Sequence, residues 1–335
     1  MKKRVIILGA TGSVGAYATM DIHSAGYEVI AVGNRASDNG FFGQYGIPYV
    51  SLDITKSDDF ERLPQSNVYA ILNLAGALPA RMEGYFPQKY IDTIVTGMLN
   101  ILEYAHRVGL DRVIYAQSIS DVSYLFGQSE TPISSDAESR YPLNNDHSVY
   151  SICKNAAIDL MEHYYHKYGI KRFVLRFPNI TLYHPNPFDY IDGKRRWVSY
   201  RWMIQQATEG KPLEVWGNPN CKRDIVYVKD CTRIILGALS ANVVGGMYNV
   251  GTGVGVRMED QVKGIADVFA PERKKIEISY RADKPDSPEF ILDISKTERE
   301  LGYKSQYDYV TALKDFKKER EINRFRKLWG EEVTE

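Results

Sequence analysis

The sequence predicts an α/β protein built on a doubly wound parallel sheet, with a smaller, discontinuous C-terminal part packed against it. Three observations carry that expectation. Short apolar runs alternate with helical periodicities through the first half of the chain, the pattern of βαβ units. A glycine-rich turn comes directly after the first of those runs, and beyond Phe177-Pro178 the texture changes to a stretch rich in Pro, Trp, Tyr and Asn. The 335 residues, 44% hydrophobic and 25% charged, are enough for two cores and exclude a disordered or fibrous chain.

Taken in order, the expected strands are Arg4–Leu8, Tyr27–Val32, Tyr49–Leu52, Val68–Leu72, Arg112–Tyr115 and Phe173–Arg176. They read as continuous apolar runs, as strands covered on both faces should. One long helix is expected over about 88–108, where Ile91, Ile94, Val95, Met98, Leu102 and Ala105 share a face and Gly109 stops it. A second runs from about Ser148 to Tyr168 and ends at Gly169. Residues 178–222 read as irregular structure, Asp224–Leu239 as a short strand and helix, Gly245–Asn249 as turn and strand, and the tail beyond about 310 as helical. No repeat or low-complexity linker separates the halves. The division expected is 1–178 plus about 224–250 for the sheet, and 179–223 plus about 251–335 for the smaller part.

Forty-two Lys and Arg balance forty-two Asp and Glu. With no global positive field, neither nucleic acid nor a membrane surface is the expected partner, and any anionic ligand must be held locally. Cys153, Cys221 and Cys231 are too few for a disulfide framework and lack zinc spacing, which fits reduced thiols in a cytoplasmic protein. The apolar run Val5-Ile6-Ile7-Leu8 is too short for a membrane span.

One local anion site is the turn Gly9-Ala10-Thr11-Gly12-Ser13-Val14-Gly15, which closes a strand and opens a helix. Glycines there let the backbone approach a pyrophosphate, and the helix N-terminus offers unpaired N–H groups. The spacing is GxxGxxG. At the end of the second strand stands Val32-Gly33-Asn34-Arg35-Ala36-Ser37, with no carboxylate for ribose hydroxyls. The guanidinium of Arg35 favours NADP(H) over NAD(H), with a solvated loop charge as the plainer reading. Further on, Tyr150-Ser151-Ile152-Cys153-Lys154 sets a phenol and an ammonium one helical turn apart, where the ammonium is expected to lower the phenol's pKa towards a range useful for proton transfer.

With these motifs in place, the chain resembles the extended short-chain dehydrogenase/reductase family of NAD(P)-dependent nucleotide-sugar epimerases and dehydratases, which implies a Rossmann-like sheet. Asp53-Ile54 resembles that family's adenine-contacting pair, and Asn73-Leu74-Ala75-Gly76 its segment along the cofactor. Ser118-Ile119-Ser120 followed by Tyr124 is similar to the strand end carrying its catalytic Ser or Thr, which selects Ser120 and leaves Ser118 as a second hydroxyl beside the sugar. Arg176-Phe177-Pro178-Asn179 resembles the element that meets cofactor at Pro178 and the substrate diphosphate at Asn179. Leu213-Glu214-Val215-Trp216-Gly217 and Lys222-Arg223-Asp224 resemble the segment that grips the nucleotide, through Val215 and Arg223. Arg223 has a plainer reading as an ion-pair partner of Asp224 or Asp230.

The resemblance implies that Tyr150, supported by Lys154, takes the proton of a sugar hydroxyl held by Ser120 while hydride passes to the nicotinamide. The chain departs from the family's dehydratases, which place Asp-Glu straight after the catalytic Thr, because Ser120 precedes Asp121-Val122. A family asparagine expected three residues before Gly97 is Ile94, and the usual Tyr-Gly-Pro is replaced by Tyr183-His184-Pro185. Residues Tyr190–Trp202, with Lys194-Arg195-Arg196, read equally as a base-stacking segment or as a helix start with a basic turn. The expected activity is a nucleotide-sugar epimerase, most simply a 4-epimerase, with an NADPH-dependent 4-ketoreductase as the alternative. A non-catalytic dinucleotide sensor fits less well, since Tyr150 and Lys154 are both kept. The resemblance also implies a homodimer formed through the two long helices.

Overall fold

In a computed structural model, residues 2–127, 131–145, 147–191 and 193–333 are described. The first half builds β1 (Arg4–Leu8), α1 (Ser13–Ser24), β2 (Glu28–Gly33), β3 (Tyr49–Ser51), β4 (Ala70–Asn73), α2 (Pro87–Tyr90), α3 (Gly97–Val108), β5 (Arg112–Ser118), α4 (Ser148–Tyr168) and β6 (Lys171–Phe177). After these come β7 (Phe188–Ile191), β8 (Lys194–Trp197), α5 (Ser199–Thr208), β9 (Leu213–Trp216), β10 (Lys222–Asp224), α6 (Val228–Ser240) and β11 (Gly245–Asn249). The chain ends with β12 (Gly255–Arg257), α7 (Met258–Phe269), β13 (Ile278–Arg281), α8 (Ser295–Leu301), α9 (Tyr309–Ile322) and α10 (Arg326–Trp329).

Among the described residues, one seven-stranded sheet runs β11-β6-β5-β4-β1-β2-β3, every pairing parallel. This is the Rossmann-like α/β architecture the sequence predicts. Alternate residues of β1 enter opposite cores: Val5 and Ile7 join the cluster with α1 and α6, Ile6 and Leu8 the cluster with α3 and α4, all four fully buried. That two-sided burial is why the strands read as unbroken apolar runs. The strand order reverses at β1, with β2 on one side and β4 on the other. The usual ligand position in such sheets is there, beyond the strands' C-terminal ends.

Two expectations need correction. Residues 178–222 are not irregular: Phe188–Ile191 and Lys194–Trp197 form an antiparallel hairpin, followed by α5 and by β9, which pairs with β13. The hairpin is held by Phe188 against Trp197 at 4.7 Å and by Arg195 stacked 3.8 Å from the Phe188 ring, a cohesion that leaves no apolar alternation to read. The first long helix is not uniform either. Between α2 and α3, residues Ile91–Thr96 form a π-helical stretch. Gly109 and Gly169 end α3 and α4 with φ of 65° and 74°, as glycine C-caps do.

Among the described residues no helix is long and apolar enough to cross a membrane, and no cluster of His, Cys, Asp and Glu could hold a metal ion.

Candidate active site

The glycine turn lies at this reversal of strand order, between β1 and α1. Gly9 has φ 84°, and a Cβ there would stand 2.9 Å from Ala75 N, so β1 and the segment after β4 meet backbone to backbone. At Gly15 a Cβ would come within 2.0 Å of Gly9 O. Gly12 caps α1 in an extended conformation with no side-chain cap and no acid in the first turn, so the helix's leading N–H groups have no side-chain cap. This cradle fits a pyrophosphate held by backbone donors.

Around it sit the other predicted cofactor residues. Asn34, Arg35 and Ser37 occupy the exposed loop after β2, where Ser37 Oγ accepts from Asn39 N and Arg35 Nη1 donates to Leu328 O at 3.2 Å. Asp53 Oδ1 is engaged by the N–H and hydroxyl of Thr55, and Ile54 packs on Gly97. Leu74, Ala75 and Gly76 leave β4 over the turn, with Ala75 N bonded to Asn73 Oδ1. Pro178 is buried at the end of β6 and Asn179 is exposed beside it.

The catalytic candidates converge from two elements. Ser118 ends β5, and its Oγ accepts from Ser120 Oγ at 3.0 Å. Ser120 in turn lies 3.3 Å from Ser151 Oγ on α4. Tyr150, 6% exposed, takes its side-chain hydrogen bond from Ser118 rather than from Ser120. Lys154 Nζ donates to Ala116 O at 2.7 Å and stands 5.7 Å from the centre of the Tyr150 ring. Burial pulls Lys154 down to about 7. The expected lowering of the Tyr150 phenol is not found. Burial pushes it up, and the Ser118 hydrogen bond opposes that only in part, because Lys154 is aimed at a backbone carbonyl.

Asp121, next to Ser120, is locked. It and Arg176 are each 1% exposed, and Arg176 donates to Asp121 Oδ1 at 3.0 Å, to Ser135 O and to Asn249 Oδ1. Burial raises the Asp121 carboxyl against the pull of Arg176, and its other side-chain donor is Ser139, which is not part of the serine group at Tyr150. The Asp121-Val122 pair therefore leaves no acid and base for an elimination.

Arg223 on β10 behaves differently from Arg176. Among the described residues it has no carboxylate partner, only Ser287 Oγ at 3.5 Å, and burial lowers its pKa. Asp224 is taken by Thr252 and Gly253 N–H groups, and Asp230 by Arg233 and the N–H groups of Gln306 and Tyr307. The ion-pair reading of Arg223 fails, which leaves a guanidinium free for an anion. Val215 is fully buried, backbone included, in the pairing of β9 with β13.

Three contributors escaped the sequence reading. Tyr90 meets Tyr150 edge-on at 5.7 Å. Thr93 Oγ accepts from Ala77 N at 3.0 Å, tying the π-helical stretch to the segment after Gly76, while Ile94 turns into the core. Ser151 adds the third hydroxyl. A cavity of about 310 Å³ is lined by Arg81, Asn186, Phe188, Tyr190 and Arg195, and Tyr190 also lines a smaller one that reaches Tyr90.

Residues 5–251 match the model of the NAD dependent epimerase/dehydratase family. The chain belongs to that family. As a member of it, the protein is an enzyme that uses a nicotinamide dinucleotide. An uncharacterized protein of Methanocaldococcus jannaschii is 27% identical over 329 residues, 94% of this chain and 95% of that one. UDP-glucuronate 4-epimerase 4 of Arabidopsis thaliana is 25% identical over 338 residues, 93% of this chain and 74% of that one. The solved structure of UDP-glucose 4-epimerase from Thermotoga maritima with UDP-glucose superposes with a TM-score of 0.73 at 21% identity, over 94% of this chain and 99% of that one.

Proposed function

We propose that the protein is a nucleotide-sugar 4-epimerase with NAD as its cofactor. The observation that carries this reading is the grouping of Ser118, Ser120, Tyr150 and Lys154 beside the glycine cradle, with Asp121 locked by Arg176. Such a site can move a proton at a sugar hydroxyl but cannot eliminate water. Tyr150 accepts the hydroxyl proton, Ser120 and Ser118 hold the sugar oxygen, and Lys154 supports the phenolate once ligands displace it from Ala116 O. The bound dinucleotide supplies the acceptor for the hydride. Arg223 and Asn179 hold the substrate diphosphate, and residues 179–223 with about 251–335 form the part that covers it.

The case for NADP(H) rests on Arg35, and that guanidinium is engaged by Leu328 O. The family's dependence on NAD and the epimerase names of the relatives favour NAD. A homodimer through α3 and α4 is supported by their exposed Leu99 and Ile152. The test is incubation with a panel of UDP-sugars. Interconversion of 4-epimers without net change in nicotinamide absorbance is expected, whereas stoichiometric NADPH oxidation with a 4-keto sugar nucleotide would replace this reading by a ketoreductase.

A further inference from the structure

The C-terminal tail takes a course that fold and activity alone do not require. After α9, Phe325 is 1% exposed and packs on Tyr17 of α1 at 4.8 Å and on Phe41 at 5.5 Å. Lys327 and the loop after β2 exchange hydrogen bonds, Lys327 O accepting from Asn39 Nδ2 and Lys327 Nζ donating to Gly40 O. Leu328 O takes Arg35. Trp329 donates its indole N–H to Thr11 O at 2.9 Å and lays its ring 4.5 Å from His184. Beyond it, Glu332 pairs with Arg201 and Arg320. Val333 N donates to Pro185 O at 2.9 Å. The tail thus touches the glycine turn, the loop after β2 and the loop before the hairpin, while Gly12 stays exposed.

Thr11 O is the carbonyl that needs such a partner. It lies just outside α1, whose first backbone bond runs from Ala16 N to Gly12 O, and Trp329 supplies its hydrogen bond. We infer that Trp329 is a positioning residue for the dinucleotide: it fixes the phosphate-binding turn through Thr11 O, and the tail that carries it slows release of the bound cofactor. The inference rests on the dinucleotide reading of the glycine cradle. Its mechanism is geometric, because backbone donors grip a phosphate only while the turn holds its shape, and a loop tethered on its outer side opens less often. Most differences in affinity between related complexes appear in the dissociation rate, so that is the quantity to read.

The experiment loads the full chain with NAD and monitors its release by chase with labelled NAD, for the parent, Trp329→Phe and Trp329→Ala. Trp329→Phe keeps a ring against His184 and Phe325 while losing the N–H and part of the indole's volume. Release roughly tenfold faster in Trp329→Phe is expected, the scale of one hydrogen bond, together with a small fall in the melting temperature without NAD, because Thr11 O loses its partner. Trp329→Ala should release faster still, and if it does not fold, the phenylalanine variant decides alone. Release from Trp329→Phe at the parental rate overturns the inference and leaves the cofactor reading standing. A parent that binds no dinucleotide overturns both.

Discussion

The two proposed anion sites of this net-neutral chain are built in opposite ways. The glycine turn carries no charged side chain from Gly9 to Gly15 and offers backbone N–H groups at the start of α1. Arg223 is a single guanidinium without a carboxylate partner among the described residues, set between Phe290 and Ser287. On the proposed function, the first would hold a phosphate by shape and the second by charge. A site of shape tolerates no added atom, and a site of charge tolerates no lost one.

The largest effect should come from neither. Tyr150→Phe should lower kcat by roughly a thousandfold or more, as loss of a proton-transferring group does, with both ligands still binding by calorimetry. If ligand binding fell in parallel, the chemistry would not be separable from the anion sites. Next comes Gly15→Ala, whose methyl would meet Gly9 O at 2.0 Å. Dinucleotide affinity should fall roughly a hundredfold, the scale of an ångström of misplacement, without added sensitivity to salt. Arg223→Ala should raise the KM for the nucleotide sugar roughly tenfold, leave cofactor affinity alone and flatten the dependence of KM on ionic strength. Equal salt dependence in parent and variant would remove Arg223 from the diphosphate.

The smallest effect concerns stability. Lys154 sits at about 7 in the fold against 10.5 in an unfolded chain, so between those values the unfolded state binds the extra proton and ligand-free stability rises with pH. Lys154→Met removes that penalty. Its ligand-free melting temperature should exceed the parent's below pH 7, and the gap should narrow as pH rises towards 10.5.

Legibility in the sequence divides along the same line. Buried parallel strands must be apolar on both faces, so β1 and the strands beside it declare themselves, and α4 is bounded as expected by Ser148 and Gly169. The glycine turn is visible because backbone conformation restricts residue type. The hairpin β7–β8 is not, since its cross-strand pairs, such as Asp189 with Arg196, need no hydrophobic period. The raised Tyr150 phenol is out of reach too, because spacing puts Lys154 on the right helix face but does not say that Ala116 O will claim it. Nor does the charged composition of the tail announce Phe325 and Trp329 as anchors.

The π-helical stretch at Ile91–Thr96 has a further consequence. An added residue in a helix turns the upstream part about the axis by roughly 100° relative to the downstream part. The stretch therefore works as a phase shift between two gears. Downstream, Met98, Ile101 and Leu102 keep step with the sheet; upstream, Tyr90 is turned to the phenol, and Thr93 within the stretch to the segment after Gly76. Deleting one residue between Ile91 and Thr96 would leave a more regular helix whose two ends could no longer serve both partners.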